Sequence, residues 1–479
     1  MAWAHWSGVS PRTIIWQRTS HVWDRDESPQ FVRFTAELPD ATISEQTFVI
    51  WKGGCVERVV LHSDCNCFYA SVEMHRRPEL RGTAMCVGGN VEARHGIVLA
   101  KSPLAKAAGV KTGEALWQAR QKCPDLVVIP PDYAAYQRYS RLARQIYYDY
   151  TDRVEPFGLD ESWLDITGSV ECFGGSARLV AEEISERVKA ELGITVSIGL
   201  SWNKIFAKLG SDIDSGDGLV EITRGNYRNV VWPLPARDLI YVGPATAAKL
   251  HSSNVHTIGE LANAGDYLLQ RRLGKMGGIL KTFARGEDVT PVRRMDRDAV
   301  DVLREVKSIG NGLTAPHDIE CRADAKALTY LLAESVAQRL REIRMRAFTI
   351  GVGAREAKTL TGYTRQRTLR LATCTTSDIA RCAFDLLVEN EPLDATHPLR
   401  ALHVRASNLE PFSQFQQPTL FGNEQTRLAA ERLDFAIDAL RRRFGNTCVR
   451  RLSELADPSL ANLDIKAENV IHPVGYFGG

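Results

Sequence analysis

The sequence predicts an α+β protein that folds as several domains. Its 479 residues exceed the roughly 250–300 residues over which one hydrophobic core extends. Hydrophobic residues make up 44% of the chain and charged residues 25%, which is the composition of an ordinary globular protein. Short apolar runs bounded by turn residues alternate with segments of helical period, so we expect strands and helices to be mixed within the domains.

The first 55 residues differ in character from the rest. They hold five of the nine tryptophans and show no sustained helical or strand period. We interpret residues 1–55 as an atypical N-terminal extension, and we favour a misassigned start as its explanation. Lys52, Gly53 and Gly54 can be encoded by AAAGGAGG, a ribosome-binding sequence, and Val56 by a GTG start codon. The intact mass of the native gene product tests this, because a product beginning at residue 1 would refute it.

Strands and helices alternate from Val59 to about residue 230. An apolar strand leads into Asp64, and a helix begins at about Cys67. A compact insert follows at residues 81–130, with strands over 84–87 and 96–100 and helices over 103–108 and 113–122. After it we predict a helix, an acidic hairpin, a second helix and a strand, over residues 133–150, 157–165, 175–192 and 195–200.

The second half begins with helices and then returns to mixed structure. Gly243 and Pro244 precede a helical run, which is typical of one half of a helix-hairpin-helix whose glycine lets main-chain amides approach a phosphate. Residues 299–411 follow a β-α-β-β-α-β order. We predict its elements at residues 305–313, 323–343, 347–352, 365–371, 376–388 and 399–407. An amphipathic helix over residues 424–444 ends at Gly445.

Two acidic stretches 96 residues apart carry the strongest chemical signal. Asp64 ends the first apolar strand, and Asp160 and Glu161 follow a second apolar run. Burying such carboxylates is unfavourable unless a cation or hydrogen bonds compensate. Mg²⁺ prefers hard oxygen ligands, and a pair of these ions suits phosphoryl or nucleotidyl transfer. The stretches therefore predict a divalent-metal site built from two strands, with a plain polar hairpin turn as the alternative.

Charge and cysteine usage narrow the class of protein. The net charge is +2, but residues 271–370 hold 21 Lys and Arg against 12 Asp and Glu. This basic stretch suits a phosphate backbone, although a solvated helix face can also be basic. The ten cysteines form no Cys-x-x-Cys pair, so we expect reduced thiols and no zinc site. With no long apolar run and no signal-peptide pattern, we expect a cytoplasmic protein without a membrane partner.

The residues around both acidic stretches resemble those of the Y-family (translesion) DNA polymerases, which include DNA polymerase IV and the UmuC-type catalytic subunits. The resemblance extends from about Val56 to the region of Arg451. It implies a right-hand polymerase with a palm, fingers, a helical thumb that contains the helix-hairpin-helix, and a βαββαβ little finger. The implied domains are, in that order, residues 56–80 with 131–230, 81–130, 231–295 and 299–411, before a C-terminal tail at 412–479.

The resemblance implies roles for the residues of the acidic stretches. Asp64, Asp160 and Glu161 would be the catalytic carboxylates and would bind two Mg²⁺ ions, with the main-chain carbonyl of Cys65 as a further ligand. Tyr69 would be a steric gate, because a ring under the incoming sugar collides with a 2′-hydroxyl. The alternative for Tyr69 is an ordinary core residue.

Further residues would contact substrates and partners. The triphosphate of a deoxynucleotide would be bound by main-chain amides at Cys67, Phe68 and Tyr69 and by the side chains of Lys204 and, more weakly, Lys106. Primer–template DNA would be contacted by Gly243, Arg365 and Arg367; these two arginines share a strand face, with Arg370 opposite. A bacterial sliding clamp would be bound by Gln417, Leu420 and Phe421, which resemble its pentapeptide ligand.

Together these features imply a monomeric, template-directed DNA polymerase for translesion synthesis and DNA repair, of low fidelity and without proofreading. Two departures concern the active site. Asn66 stands where polymerase IV members have a further acid, and Asn66 and Tyr69 are closer to the UmuC-type pattern, so the subfamily is open. Pro103 stands where a tyrosine is common, three residues before Lys106. The alternative function is a catalytically silent, clamp-binding scaffold that recruits another polymerase.

Overall fold

The computed structural model describes residues 31–34, 46–49, 57–89, 96–213, 216–294, 306–415, 424–452 and 463–465. Its contacts divide the chain into two compact units, Met1–Arg58 and Val59–Gly479. In the first unit, strands β1 (Phe31–Phe34) and β2 (Gln46–Val49) pair antiparallel, with Phe31 opposite Val49. The rest of the predicted extension lies outside the described residues.

Residues 57–129 contain the first strand of the main sheet and a small separate sheet. The elements are β3 (Val60–Cys65), α1 (Phe68–Arg76), β4 (Met85–Gly88), β5 (Val98–Lys101), α2 (Pro103–Ala107), α3 (Leu116–Lys122) and β6 (Val127–Ile129). β4 is central in the small sheet, antiparallel to β5 and parallel to β6. A cluster that includes Cys86 and Leu116 forms its core. The segment predicted to form the fingers contains this sheet, but strand β6 was not predicted from the sequence.

The main sheet has five strands in the order β10-β9-β3-β8-β7. The elements of this part of the chain are α4 (Tyr133–Tyr148), β7 (Val154–Phe157), β8 (Glu161–Asp165), α5 (Ala177–Leu192), β9 (Val196–Ser201), α6 (Lys204–Ile213), β10 (Leu219–Glu221) and α7 (Tyr227–Val230). Side chains alternate across a strand. Leu61 and Leu164 therefore join the core formed with α4 and α5, whereas Val60 and Trp163 face α6.

Four helices follow the main sheet: α8 (Pro244–His251), α9 (Ile258–Asn263), α10 (Asp266–Leu273) and α11 (Lys275–Ala284). Leu250, Leu261 and Phe283 from these helices share one hydrophobic core with Phe206 of α6. The predicted thumb is thus helical, and its core is continuous with the α6 face of the main sheet.

The C-terminal part contains a four-stranded antiparallel sheet in the order β11-β14-β12-β13. The elements are β11 (Ser308–Ile319), α12 (Arg322–Glu342), β12 (Met345–Glu356), β13 (Gly362–Thr373), α13 (Thr376–Asn390), β14 (Leu399–Pro411) and α14 (Glu424–Phe444). The observed order is the predicted β-α-β-β-α-β order. Helices α12 and α13 pack on one face, through residues such as Leu332, Ile350 and Leu387.

Helix α14 is held to this domain mainly by charged side chains. Arg341 of α12 donates to Asp438 at 2.6 Å and to Asp434 at 3.2 Å. Arg441 donates to Glu334 of α12 at 2.7 Å. All five side chains are buried. The inward face of α14 is therefore an ion-paired one, which the predicted amphipathic pattern did not indicate.

Among the described residues, no helix is long and apolar enough to cross a membrane.

Candidate active site

The pairing of β3 with β8 brings the two acidic stretches together. Asp64 lies directly opposite Glu161 in the antiparallel register, and His62 lies opposite Trp163. Because these positions alternate along each strand, all four side chains belong to the α6 face of the sheet. The register therefore makes neighbours of Asp64 and Glu161, the two residues that the sequence predicts to share one site.

Asp160 lies in the turn that connects β7 to β8. Phe157 pairs with Glu161 across this turn, so three residues close the hairpin. Gly158 has a φ of +87°, a left-handed conformation in which a side chain would be strained. The main-chain N–H of Cys65 donates to the carbonyl of Asp160 at 2.9 Å, which ties the turn to the end of β3.

Helix α6 places a lysine over the carboxylates. Lys208 Nζ donates to Glu161 Oε2 at 2.6 Å and lies 3.6 Å from Asp212 Oδ1. The helix can approach because a Cβ on Gly199 of β9 would lie 1.8 Å from the carbonyl oxygen of Ala207. Sequence reasoning missed Lys208, although it lies four residues after Lys204 and so on the same side of the helix.

Lys204, predicted to contact the triphosphate, lies inside the protein in this structure. Its side chain is fully buried, and Nζ donates to Glu155 Oε2 at 2.8 Å. The same ammonium lies 4.4 Å from the centre of the Trp163 ring. Burial lowers the pKa of Lys204, with Glu155 opposing the shift. Lys204 thus joins α6 to β7 inside the protein, and Lys208 is the lysine of α6 that contacts Glu161.

His62 is a second residue that sequence reasoning missed. Its ring is fully buried, with Nδ1 2.7 Å from Ser211 Oγ and Nε2 3.3 Å from Glu161 Oε2. Burial lowers the pKa of His62 to about 4, so the ring is neutral near pH 7. An isolated histidine in an apolar strand gives no sequence signal of such a contact.

The carboxylates repel one another electrostatically. Burial and the neighbouring charges of Glu161 and Asp160 raise the pKa of Asp64 to about 8. Burial and Glu161 raise the pKa of Asp160 to about 6. Although burial disfavours its charge, contacts with His62 and Lys208 keep the pKa of Glu161 below its usual value. One lysine does not offset three carboxylates, so a divalent cation fits the charge of this cluster.

The donor set also limits how a cation could be held. In the part of the chain that the structure describes, no three His, Cys, Asp or Glu side chains converge closely enough to enclose one metal ion. Carbonyl, water or substrate oxygens would have to complete the coordination, as is usual for Mg²⁺. The main-chain carbonyl of Cys65, between Asp64 and the α1 turn, is the predicted protein donor of this kind.

Asn66 is part of a hydrogen-bonded turn. Its Nδ2 donates to Thr195 Oγ1 at 3.1 Å, and Ser197 Oγ donates to its Oδ1 at 2.9 Å. Ser71 Oγ donates to its main-chain carbonyl at 2.6 Å. Both ends of the side chain are engaged with β9 and the residue before it, so Asn66 braces the end of β3.

Helix α1 begins beside the carboxylates and carries the predicted gate. Cys67 precedes it in a left-handed conformation, with a φ of 50°, and no side chain of the described residues caps the helix. Phe68 is buried in the core. Tyr69 is partly exposed, and burial with the charge of Asp160 raises its pKa to about 12. Of the two aromatic residues, Tyr69 is therefore the one near the acidic site.

The ring of Tyr69 is held by an aromatic stack with helix α4. It lies nearly parallel to that of Tyr136 on α4, with centroids 4.2 Å apart and an interplanar angle of 12°. The hydroxyl of Tyr136 donates to Glu73 Oε1 at 2.9 Å, and both side chains are fully buried. Tyr69 can therefore not turn inward without disturbing the α1–α4 interface.

Lys106 lies on the short helix α2, in the segment predicted to form the fingers. It is exposed. Ser102 caps α2 by accepting from the N–H of Ala105, and Pro103 is its first residue. Proline is favoured at this position because it needs no N–H donor there. Pro103, in place of the common tyrosine, thus starts a helix.

Gly243 caps the N-terminus of α8, and a Cβ there would meet no atom within 4 Å. No side chain of the described residues caps the first turn of α8, and its first residue is Pro244, which has no N–H. The approach of a phosphate at this helix end stays a prediction.

Arg365 and Arg367 lie on the side of the C-terminal sheet against which the helices pack, and each contacts a residue near the end of α13. Arg365 Nε donates to Asn390 Oδ1 at 3.0 Å, and Arg367 donates to Glu389 at 2.7 Å. Their strand neighbours Tyr363 and Leu369 pack against the helix-side core. The two arginines share one face of this edge strand, where Arg365 is exposed and Arg367 is partly exposed. Their contact with DNA stays a prediction.

The open face of this sheet is formed by small and polar residues. Three rows run across its four strands, and their members are paired in register. The rows are Gly312, His403, Gly353 and Thr364; Gly310, Arg405, Gly351 and Gln366; and Ser308, Ser407, Thr349 and Thr368. The first row lines part of a shallow groove of about 550 Å³. Gln417, Leu420 and Phe421 lie outside the described residues.

Comparisons with known proteins give a consistent result. Residues 63–212 match the model of the impB/mucB/samB family, and residues 306–420 match that of its C-terminal domain. The chain is 44% identical to a DNA polymerase IV of Acetivibrio thermocellus, over 85% of this chain and 99% of that protein. It is 36% identical to DNA polymerase IV 1 of Bacillus subtilis, over 82% and 92%.

A solved Y-family DNA polymerase chimera has a similar fold. It superposes with a TM-score of 0.63, covering 73% of this chain and 98% of the chimera. At 21% sequence identity, this likeness concerns the fold alone.

Proposed function

This chain belongs to the impB/mucB/samB family and is a Y-family translesion DNA polymerase, and we propose that Asp64, Asp160 and Glu161 support its nucleotidyl transfer by the two-metal route. The reaction joins the primer 3′-oxygen to the α-phosphate of a deoxynucleotide and releases pyrophosphate. The observation that carries the assignment is the register that sets Asp64 opposite Glu161, with Asp160 at the adjoining turn.

A polymerase of this family depends on divalent metal, and the residues present suit it. Held by the three carboxylates and the Cys65 carbonyl, two Mg²⁺ ions would neutralise phosphate charge and lower the pKa of the primer 3′-hydroxyl. The raised pKa of Asp64 and Asp160 supports this, because it reflects charge that the protein alone leaves uncompensated.

The neighbouring residues bind and select the nucleotide. We assign the triphosphate to the ammonium of Lys208 and the first-turn amides of α1, because both lie beside Glu161 or Asp64. Lys106 is a weaker contact from the fingers domain. Tyr69, held by its stack on Tyr136, lies near Asp160 and would exclude a 2′-hydroxyl.

Primer extension on an undamaged and a lesion-bearing template tests the carboxylate assignment. The double variant Asp160→Ala/Glu161→Ala is expected to lose extension by several orders of magnitude, because the transition-state charge is no longer offset. Glu182→Gln is the matched control, since Glu182 is an exposed acid of α5 paired with Arg178. Extension that survives in the double variant would contradict the assignment.

DNA and the clamp are bound by other parts of the chain. We propose that primer–template DNA lies along the open face of the C-terminal sheet, with Arg405 and Arg370 as cationic contacts, and near the N-terminus of α8 at Gly243. We also propose that the peptide with Gln417, Leu420 and Phe421 binds a sliding clamp and that the enzyme is a monomer. The end of β14 and the start of α14 bracket this peptide in the sequence.

The named relatives bear on the subfamily. Those described above are called DNA polymerase IV, so we propose that the chain belongs with that group, despite the UmuC-like Asn66 and Tyr69. Asn66, which stands in place of the further acid, has its side-chain amide engaged with Thr195 and Ser197.

A further inference from the structure

His62 makes a contact that the two-metal reaction does not by itself require. The ring lies on β3 two residues before Asp64 and is completely buried. Its Nε2 lies 3.3 Å from Glu161 Oε2. Burying a polar imidazole ring is unfavourable unless its nitrogens are engaged, so an apolar side chain would serve better if this position only filled the core.

The second ring nitrogen is held by α6. Nδ1 lies 2.7 Å from Ser211 Oγ, which also lies 2.8 Å from the carbonyl oxygen of Lys208. That hydroxyl has one proton to donate. If it donates to the carbonyl, Nδ1 carries the ring proton, and the lone pair of Nε2 faces the carboxylate. If it donates to Nδ1, the ring proton is on Nε2 and points at Glu161.

The second arrangement is the favourable one beside a charged Glu161. The Lys208 carbonyl lies inside α6, where the main-chain N–H four residues later already serves it. An Nε2–H then faces a charged acceptor oxygen, and a hydrogen bond to a charged group is stronger than the neutral one that Ser211 gives up at the Lys208 carbonyl. Ser211 can thus determine which ring nitrogen carries the proton.

Lys208 and His62 converge on the same oxygen. Lys208 Nζ is 2.6 Å from Glu161 Oε2, and His62 approaches that oxygen as well. Both contacts leave Oε1 available for a cation. Lys208 has a second proposed task at the triphosphate, which would draw its ammonium away from Glu161. His62, fixed between Ser211 and Trp163, has no such freedom.

We propose that His62, oriented by Ser211, is a positioning residue that keeps Glu161 turned toward the metal site while Lys208 engages the incoming triphosphate. This inference rests on the proposed function, because it assumes that Glu161 is a metal ligand. His62 itself does not touch substrate. Its partners on the packed elements are Ser211 and Lys208 of α6 and Trp163 and Glu161 of β8.

The test compares His62→Leu, His62→Gln and Ser211→Ala. Binding of Mn²⁺ to the enzyme with primer–template is measured by electron paramagnetic resonance, without any turnover. Single-turnover kinetics then separate the maximal rate from the apparent affinity for the nucleotide. Glutamine can place an N–H donor near the position of Nε2, and leucine cannot. Melting temperatures of all variants show how much each change affects the fold.

For His62→Leu we expect Mn²⁺ affinity and maximal rate to fall by about 10-fold or more, the usual effect of removing an outer partner of a metal ligand. Nucleotide affinity should change less than about 3-fold. His62→Gln should recover most of the loss, and Ser211→Ala should show an intermediate one. The proposal would be overturned if His62→Leu bound Mn²⁺ as tightly as the wild type does. It would also be overturned if His62→Gln lost Mn²⁺ affinity and maximal rate in proportion to its fall in melting temperature, because the restored N–H donor would then have no effect of its own.

Two controls complete the design. If His62→Leu does not fold, the Ser211→Ala variant decides the question, because it leaves the ring in place and removes only its orienting hydroxyl. Glu161→Ala is measured in the same assays. Unchanged metal binding in Glu161→Ala would show that the proposed function is wrong, whereas a loss there with wild-type behaviour in the His62 variants would show that only this inference fails.

Discussion

At the scale of single residues, the burial and mutual repulsion of the acidic side chains lower the stability of the metal-free protein. The folded protein holds Asp64 with a pKa of about 8, whereas the ordinary value is 3.8. A carboxyl with a raised pKa favours the folded state less as the pH rises, because the folded state resists losing the proton. The stability of the metal-free protein should therefore decline between about pH 4 and pH 8 on account of Asp64.

Asp64→Asn should make the metal-free protein more stable while abolishing primer extension. At pH 7.5 we expect a gain of about 1–3 kcal/mol in the free energy of unfolding, because the variant has no carboxyl to deprotonate beside Glu161 and Asp160. Denaturation with and without EDTA and Mg²⁺ measures this. Mg²⁺ should stabilise the wild type more than the variant. A variant that is less stable at every pH would contradict the repulsion argument.

Tyr69 and Tyr136 make a second prediction at the same scale. Tyr69→Ala should raise ribonucleotide incorporation by removing the gate itself. Tyr136→Leu should raise it by a smaller factor, because the ring that holds Tyr69 in place is lost while Tyr69 remains. Tyr136→Phe keeps the stack and loses only the bond to Glu73, so it is the matched control. Unchanged sugar discrimination in Tyr69→Ala would reject the gate.

At the scale of elements, strand β13 shows what the alternation of side chains along a strand predicts. It predicts which residues share a face of the sheet, but not which face the helices cover. Its period of two correctly put Arg365 and Arg367 on one face. It could not tell which face the helices cover, because that depends on the packing of α13, whose Asn390 and Glu389 receive these arginines. The residues left on the open face are small and polar, with Arg405 and His403 projecting from β14 between glycines of β11 and β12.

Arg405→Gln and Arg367→Gln should separate the two faces. Loss of one phosphate contact should weaken primer–template binding and reduce the slope of log K against log salt by up to about 0.9. We expect this for Arg405→Gln, because its strand position is on the open face. Arg367→Gln should leave the slope nearly unchanged, since Arg367 pairs with Glu389. Fluorescence anisotropy over a salt series measures both, and the opposite ranking would reassign the DNA-binding face.

At the scale of the whole molecule, helix α14 extends the C-terminal domain through buried ion pairs. Leu433, Leu440 and Phe444 on this helix are exposed, whereas Asp434, Asp438 and Arg441 are buried. Apolar burial thus contributes little here. The attachment depends on complete pairing, because a buried charge that loses its partner is strongly unfavourable.

Arg341→Ala should therefore destabilise the C-terminal domain by about 3–5 kcal/mol, since the buried Asp434 and Asp438 would lose the cation that pairs with them. Chemical denaturation and limited proteolysis within residues 424–444 measure the change. Arg178→Ala is the matched control and should shift stability by less than about 0.5 kcal/mol, because its pair with Glu182 is exposed. An effect of similar size in both variants would contradict the buried-pair account.

The sequence alone predicted the α+β class and the β-α-β-β-α-β order, since local period and composition encode strand and helix positions, and it proposed the three carboxylates as a site. The residues around Asp64 and Asp160 carried the family resemblance. How deeply a side chain is buried, and which neighbours it faces, is shown only by the tertiary structure. Lys204 and Lys208 share one side of α6, and the close approach at Gly199 decides that one is buried against Glu155 while the other reaches Glu161. The side of the C-terminal sheet that remains open was likewise set by helix packing, which acts between residues far apart in the chain.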